Sequence, residues 1–152
     1  MSLGKAISIV GQAFETKTDK GGTPYVMHCL YVMYRIRDKF ESDEELQSIA
    51  VLHDLVEDTG WTLEDLRTAG FSERVVAGVD LLTHDPNVSY EDYILNISKF
   101  EDASHVKMAD LRHNSKITRM KGLTKKDLKR LEKYHEAYMF LSNIVGTQHI
   151  DE

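Results

Sequence analysis

The chain has 152 residues, a length suited to one domain with a core of its own, and 41% of them are hydrophobic, which excludes a disordered polar chain. Its formal charge is −6, from 19 Lys+Arg against 25 Asp+Glu, so a nucleic acid polymer is not the expected partner, because affinity for a phosphate backbone comes from dense Lys and Arg. One cysteine, Cys29, excludes an intrachain disulfide; no signal-peptide pattern and no apolar run of membrane-spanning length is present, and a cytoplasmic protein is expected.

In chain order the pattern is helical throughout. Leu3, Ile7, Val10 and Phe14 follow one helix face. The polar stretch 16–23, TKTDKGGT, reads as a loop, after which Thr23 should cap a helix with Pro24 at its first position, running through PYVMHCLYVMYRIRDKF. Ser42 with Glu45 has the spacing of a capping box and predicts a helix to about Asp58, stopped at Thr59-Gly60. Thr62, Ser72 and Ser89 start further helices, the first ending at Gly70 and the second before Pro86. The run DASHVKMADLRHNSKITRM is expected to be helical up to Gly122, and Thr124 to open a last helix closed by Gly146. No segment alternates as a strand would. The expectation is an all-α single domain of seven or eight helices over residues 1–152, with its core at about 3–146.

Within the apolar helix AVLHDLVEDTG lie His53, Asp54, Glu57 and Asp58. Three carboxylates in a partly dry place repel one another and lose solvation, and a divalent cation removes that problem. An imidazole with carboxylates suits Mn²⁺, Fe²⁺ or Zn²⁺ better than Ca²⁺. His28 in VMHCL and Asp110 in KMADL are also polar groups inside apolar stretches. Together His28, His53, Asp54 and Asp110 form an N₂O₂ donor set with positions left for water and substrate.

The segments GGTPYVMHCL, AVLHDLVEDTGWTLEDL, VKMADLRHN and LEKYHEAYMFL resemble the HD-domain metal-dependent phosphohydrolases. The resemblance is strongest to the hydrolase domain of the Rel/Spo stringent-response proteins and their small single-domain relatives. It implies an HD-domain helical fold with His28, His53, Asp54 and Asp110 as ligands of a divalent metal, first of all Mn²⁺. It implies Glu57 and Asp58 as the acidic pair that orients or deprotonates the attacking water. Tyr25, Lys107 and Asn114 would contact the substrate, and the reaction would remove pyrophosphate from the 3′ position of guanosine tetra- or pentaphosphate. In the family the loop before PY..H carries an arginine that stacks on guanine; Asp19 stands there in this chain, Phe14 replaces a family histidine, and only Lys17 and Lys20 are near. Two further readings therefore stay open: a phosphohydrolase for another nucleotide or phosphorylated metabolite, and a non-catalytic module that binds metal and nucleotide.

His84, His105, His135 and His149 have no partner pattern and read as surface or helix-end residues; His113, one turn from Asp110, reads as packing first and as a support behind a ligand second. Trp61 and Leu63 should pin the following helix to the core. The mixed charges of KKDLKRLEK read as a solvated helix face.

Overall fold

The computed structural model describes residues 3–148 and is all-helical among them, apart from an isolated backbone bridge between Thr18 and Pro24. In order come α1 (Leu3–Ala13), α2 (Val26–Lys39), α3 (Glu44–Leu52), the single turn α4 (Leu55–Asp58), α5 (Leu63–Thr68), α6 (Glu73–Leu82), α7 (Tyr90–Ser98), α8 (Glu101–Asn114), a 3₁₀ turn (Ile117–Arg119) and α9 (Lys125–Gln148). Setting α4 aside, eight helices among the described residues span six residues or more, as the periodicity predicts. No helix among the described residues is long and apolar enough to cross a membrane.

α3 is the axis of the bundle. Seven of its nine residues are buried, Leu46 to Leu52, because α1, α2, α6 and α8 surround it. Gly78 lets α6 lie against it: a Cβ there would stand 2.6 Å from Ile49 Cδ1. α9 crosses α8 and buries Ala137, Leu141 and Val145.

Several caps fall where the sequence places them. Thr62 accepts from the Asp65 amide while the Asp65 carboxylate accepts from the Thr62 amide, and Ser72 and Ser89 cap α6 and α7. Thr124 and Asp127 form the same reciprocal pair at the start of α9. Other boundaries move. Asp43, not Ser42, caps α3 by accepting from Leu46 N, since a carboxylate reaches the third amide without a box partner. α2 begins after Tyr25 rather than at Pro24, because Pro24 is held in the bridge to Thr18. α8 stops at Asn114 and gives way to the 3₁₀ turn, and α9 runs through Gly146. His149 lies outside the described residues.

The largest correction is at His53. The helix expected to run unbroken to Asp58 breaks after Leu52: His53 is the C-cap of α3, and Asp54, at φ −100° and ψ −1°, is the N-cap of α4. Neither glycine nor proline marks the break. An unbroken helix would point these two side chains about 100° apart; the break turns both toward one point.

Candidate metal centre

Three elements meet at that point: His28 from α2, His53 and Asp54 from the α3–α4 junction, and Asp110 from α8. One ligand atom from each lies within 4.8 Å of every other. His28 Nε2 is 3.0 Å from Asp110 Oδ1 and 3.6 Å from Asp54 Oδ2. His53 Nε2 is 3.0 Å from Asp54 Oδ2 and 3.5 Å from Asp110 Oδ1. Donors about 2.1 Å from a shared cation stand about 3.0–3.4 Å apart, and these separations have that spacing.

The hydrogen bonding distinguishes this arrangement from two ordinary ion pairs. Both Nε2 atoms are buried without a hydrogen bond despite the nearby oxygens. A buried polar atom without a hydrogen bond is costly, and two of them facing one point beside two carboxylates suit a shared occupant. The four side chains fit a divalent cation.

Each candidate ligand is held from behind. His53 Nδ1 is 2.7 Å from the Ala50 carbonyl oxygen, which can only accept, so Nδ1 carries a proton and in the neutral ring Nε2 presents its lone pair. His28 Nδ1 is 2.7 Å from His113 Nδ1, with the rings stacked at 14°. Burial first, then the charges of Arg119, His28 and Lys116, push the His113 pKa down to about 3. A neutral His113 can accept from His28 Nδ1–H and leave His28 Nε2 bare. Tyr25 donates to Asp54 Oδ2 at 2.5 Å. Lys107 donates to Asp110 Oδ2 at 2.8 Å, and Asn114 to Asp110 Oδ1 at 2.9 Å. Tyr25, Lys107 and Asn114, expected against substrate, are thus brought to the cluster, where each grips a carboxylate.

The electrostatics follow from this packing. Burial opposes charge on all four groups, but mutual attraction outweighs it. The carboxylates of Asp110 and Asp54 hold His28 and His53 above the ordinary imidazole range, and the histidines hold Asp54 well below the carboxylate range. Asp110 is held down by Lys107 first and then by the histidines. Asp54 keeps 13% of its side chain open, against 1%, 2% and 6% for His28, His53 and Asp110, so the cluster is approached from the Asp54 side.

Glu57 and Asp58 follow on α4. Glu57 Oε1 accepts from the His84 amide at 2.7 Å, which fixes its carboxylate while leaving Oε2 for other contacts. Burial, then the charges of Asp54 and Asp58, raise its pKa above the usual range, the direction that suits a proton acceptor working near neutrality. Asp58 Oδ2 pairs with Lys17 Nζ at 3.2 Å, and Lys17 also lies 4.3 Å above the Tyr25 ring.

A cavity of about 280 Å³ adjoins the cluster through Tyr25 and Asn114, and Lys17, Lys20, Lys116, Arg119 and Arg130 line it. Five cations around one cavity is a strong local bias in an acidic chain. Arg119 reaches back a hundred positions to Asp19, Nη2 to Oδ2 at 3.0 Å, while Asp19 Oδ1 accepts from Gly21 and Thr23 amides. Gly21 is needed for that approach, since a Cβ would stand 2.6 Å from the Arg119 carbonyl oxygen. The loop that lacks a guanidinium in sequence therefore receives one from the 3₁₀ turn. Phe14, where the family has histidine, is buried and packs against Tyr25 at 5.1 Å.

His113 takes the second of its two sequence readings: it stands behind His28 rather than only packing. Sequence reasoning missed His84, His105 and Arg119. His84 is no free surface residue: it stacks on Tyr93, bonds the Val88 carbonyl through Nε2 and holds Glu57 through its backbone. His105 is buried against Phe40. His135 is exposed, as expected, and Trp61 packs on the core. The i to i+3 spacing of Asp110 and His113 signals a shared face; nothing local signals Arg119.

No family model matches the chain. A solved structure described as a metazoan ortholog of SpoT that hydrolyzes ppGpp and plays a role in starvation responses is similar at a TM-score of 0.78, with 21% identity over 95% of this chain and 92% of that chain. The two chains share a fold. The all-helical arrangement expected from the HD-domain resemblance is therefore observed; at that identity the likeness concerns the fold.

Proposed function

We propose that this chain is a metal-dependent phosphohydrolase of the HD type acting on a phosphorylated nucleotide, with the 3′-pyrophosphate ester of guanosine tetraphosphate as first substrate. The observation that carries the reading is the convergence of His28, His53, Asp54 and Asp110 with both Nε2 lone pairs unused. The structural neighbour's hydrolysis of ppGpp supports the choice of substrate.

A divalent cation bound there, with Mn²⁺ as the first choice over Fe²⁺ or Zn²⁺, supplies positive charge against phosphoryl oxygens and lowers the pKa of water. The chain's own groups do the rest. Glu57, steadied by the His84 amide, takes the proton of the attacking water as oxygen adds to phosphorus. The bond from phosphorus to the nucleoside 3′ oxygen breaks, and that oxygen leaves with a proton. Asp58, held by Lys17, keeps the water in line. Tyr25 and Asn114, besides fixing the ligands, wall the cavity in which Lys116, Arg119 and Arg130 meet the nucleotide's remaining phosphates. Lys107, tied to Asp110, adds positive charge at the cluster. The reading places the protein in the cytoplasm.

Hydrolysis of a different phosphorylated nucleotide is the second reading, and the cavity's chemistry favours it: five cations read phosphate charge rather than a particular base. A panel of phosphorylated nucleotides, guanosine tetraphosphate included, assayed with Mn²⁺ for phosphate and pyrophosphate decides among them. Pyrophosphate released from the tetraphosphate supports the first reading, and turnover of other members alone supports the second. Binding with no turnover anywhere in the panel would leave a regulatory module.

A further inference from the structure

α8 ends at Asn114 without a glycine. Among the described residues only Gly22 and Gly70 have positive φ, so no left-handed cap closes this helix. A side chain from the following 3₁₀ turn braces its end. Arg119 Nη1 donates to the His113 carbonyl oxygen at 3.0 Å and to Asn114 Oδ1 at 3.3 Å, and Nη2 donates to Asp19 Oδ2 at 3.0 Å. The His113 carbonyl also accepts from the Lys116 amide at 3.2 Å. The other Asp19 oxygen accepts from the Gly21 and Thr23 amides, so the guanidinium is anchored in the 16–23 loop.

Both acceptors on α8 belong to residues that stand behind candidate ligands. His113 Nδ1 meets His28 Nδ1 at 2.7 Å, and Asn114 Nδ2 donates to Asp110 Oδ1 at 2.9 Å. Asp110 Oδ1 is the oxygen 3.0 Å from His28 Nε2, so it faces the centre. The two ends of a side-chain amide have nearly the same shape, and their partners decide which end points where. A guanidinium can only donate. Arg119 therefore claims Asn114 Oδ1 and leaves Nδ2 for the carboxylate. The Asn114 side chain has no other partner among the described residues, so without Arg119 its amide is free to turn and no longer steadies Asp110.

We infer that Arg119 is a positioning residue for the metal centre. It bonds none of the four candidate ligands. Through His113 and Asn114 it sets the ring of His28 and the carboxylate of Asp110, and through Asp19 it makes the 16–23 loop part of the centre's support. The role calls for a guanidinium, because a planar fork spans three acceptors on two segments where an ammonium is a single point charge. The Nε–H and one Nη2–H have no acceptor among the described residues, so bracing the centre does not compete with an anion in the cavity. The inference rests on the metal reading above, though not on turnover.

Mn²⁺ affinity of the full chain, read by competition with a chelator, is the test. Arg119→Met should weaken it about tenfold, the lower end of what losing a ligand's supporting partner costs. Arg119→Lys keeps the charge without the fork. It should melt as the unsubstituted chain does and still lose about fivefold in affinity, and it carries the test if the methionine variant does not fold. Asn114→Ala should lose about as much as Arg119→Met. The double variant should fall no more than about threefold below Asn114→Ala alone, because the two substitutions break one line of contacts. A general loosening of the fold would instead let the two losses multiply, to about a hundredfold, and that result overturns the inference. So does full affinity in Arg119→Lys, or in a folded Arg119→Met. An unsubstituted chain that binds no Mn²⁺ removes the metal reading and this inference together, whereas one that binds it as tightly as its Arg119 variants removes the inference alone.

Discussion

Two clusters of charge sit on opposite ends of α3, and they are built on opposite rules. Around Arg74 every group is used. Its guanidinium meets Asp102 through Nε and Nη2, at 2.9 and 3.0 Å, and Asp43 through Nη1 and Nη2, at 3.0 and 2.8 Å, with Glu45 at 3.2 Å. Ser72 donates to the other Glu45 oxygen. That hub ties the starts of α3, α6 and α8 together. The histidine–aspartate cluster has similar charges, is far better buried, and leaves its two Nε2 atoms unbonded. A cluster that serves structure consumes its own lone pairs; one that serves a ligand withholds them.

The contrast can be broken in several places, in decreasing order of effect. Asp110→Ala should abolish both turnover and metal content, read by metal analysis of the purified chain, because it removes a ligand and leaves Lys107 unpaired. A full complement of metal in that variant would remove Asp110 from the donor set. Glu57→Gln should keep metal and fold and lower the hydrolysis rate by roughly 10²–10⁴-fold, the usual contribution of a general base; an unchanged rate reassigns the proton. His113→Ala should weaken metal affinity by about 10–100-fold, as loss of a ligand's supporting partner does, measured by competition with a chelator. Arg74→Met should leave metal and rate alone and lower the melting temperature by about 2–4 °C, the size expected for about 1 kcal/mol in a domain of this length. A loss of metal there would mean the two clusters are coupled.

pH sharpens the same comparison. His28 and His53 are held above the ordinary imidazole value of 6.5 in the metal-free cluster, so their contribution to its stability is complete below about pH 6.5 and is lost as pH rises through the raised values. A cation needs both rings neutral, so its stabilisation grows over the same interval. Chelated protein should therefore lose stability as pH rises above about 6.5 while loaded protein gains it, a divergence visible in paired thermal melts. Parallel curves would count against the cluster as a metal centre.

Much of this was legible in the sequence, and the reasons are local. Thr62, Ser72, Ser89 and Thr124 announce their helices because a cap acts over three residues. His28, His53, Asp54 and Asp110 stand out because polar groups interrupt apolar runs. What escaped depends on distance along the chain: His113 meets His28 across 85 positions and Arg119 meets Asp19 across 100, and no spacing rule reaches that far. The break at His53 escaped for another reason. Leu52 and Leu55, both fully buried, continue the apolar pattern across it, so the periodicity shows no interruption. The solvated face expected for KKDLKRLEK is correct for its outer residues and wrong for Arg130, which the fold turns over the cavity.

The break after Leu52 has a consequence for how such a centre can adapt. Two of its four donors come from consecutive residues, so a single peptide unit fixes the spacing of their Cα atoms, and no sliding of one helix past another can alter that spacing. Only α2 and α8 are free to shift relative to that pair. Retuning this centre for a larger or smaller ion would therefore fall to packing substitutions beneath His28 and Asp110, such as at Val32 or Val106, with all four donors kept.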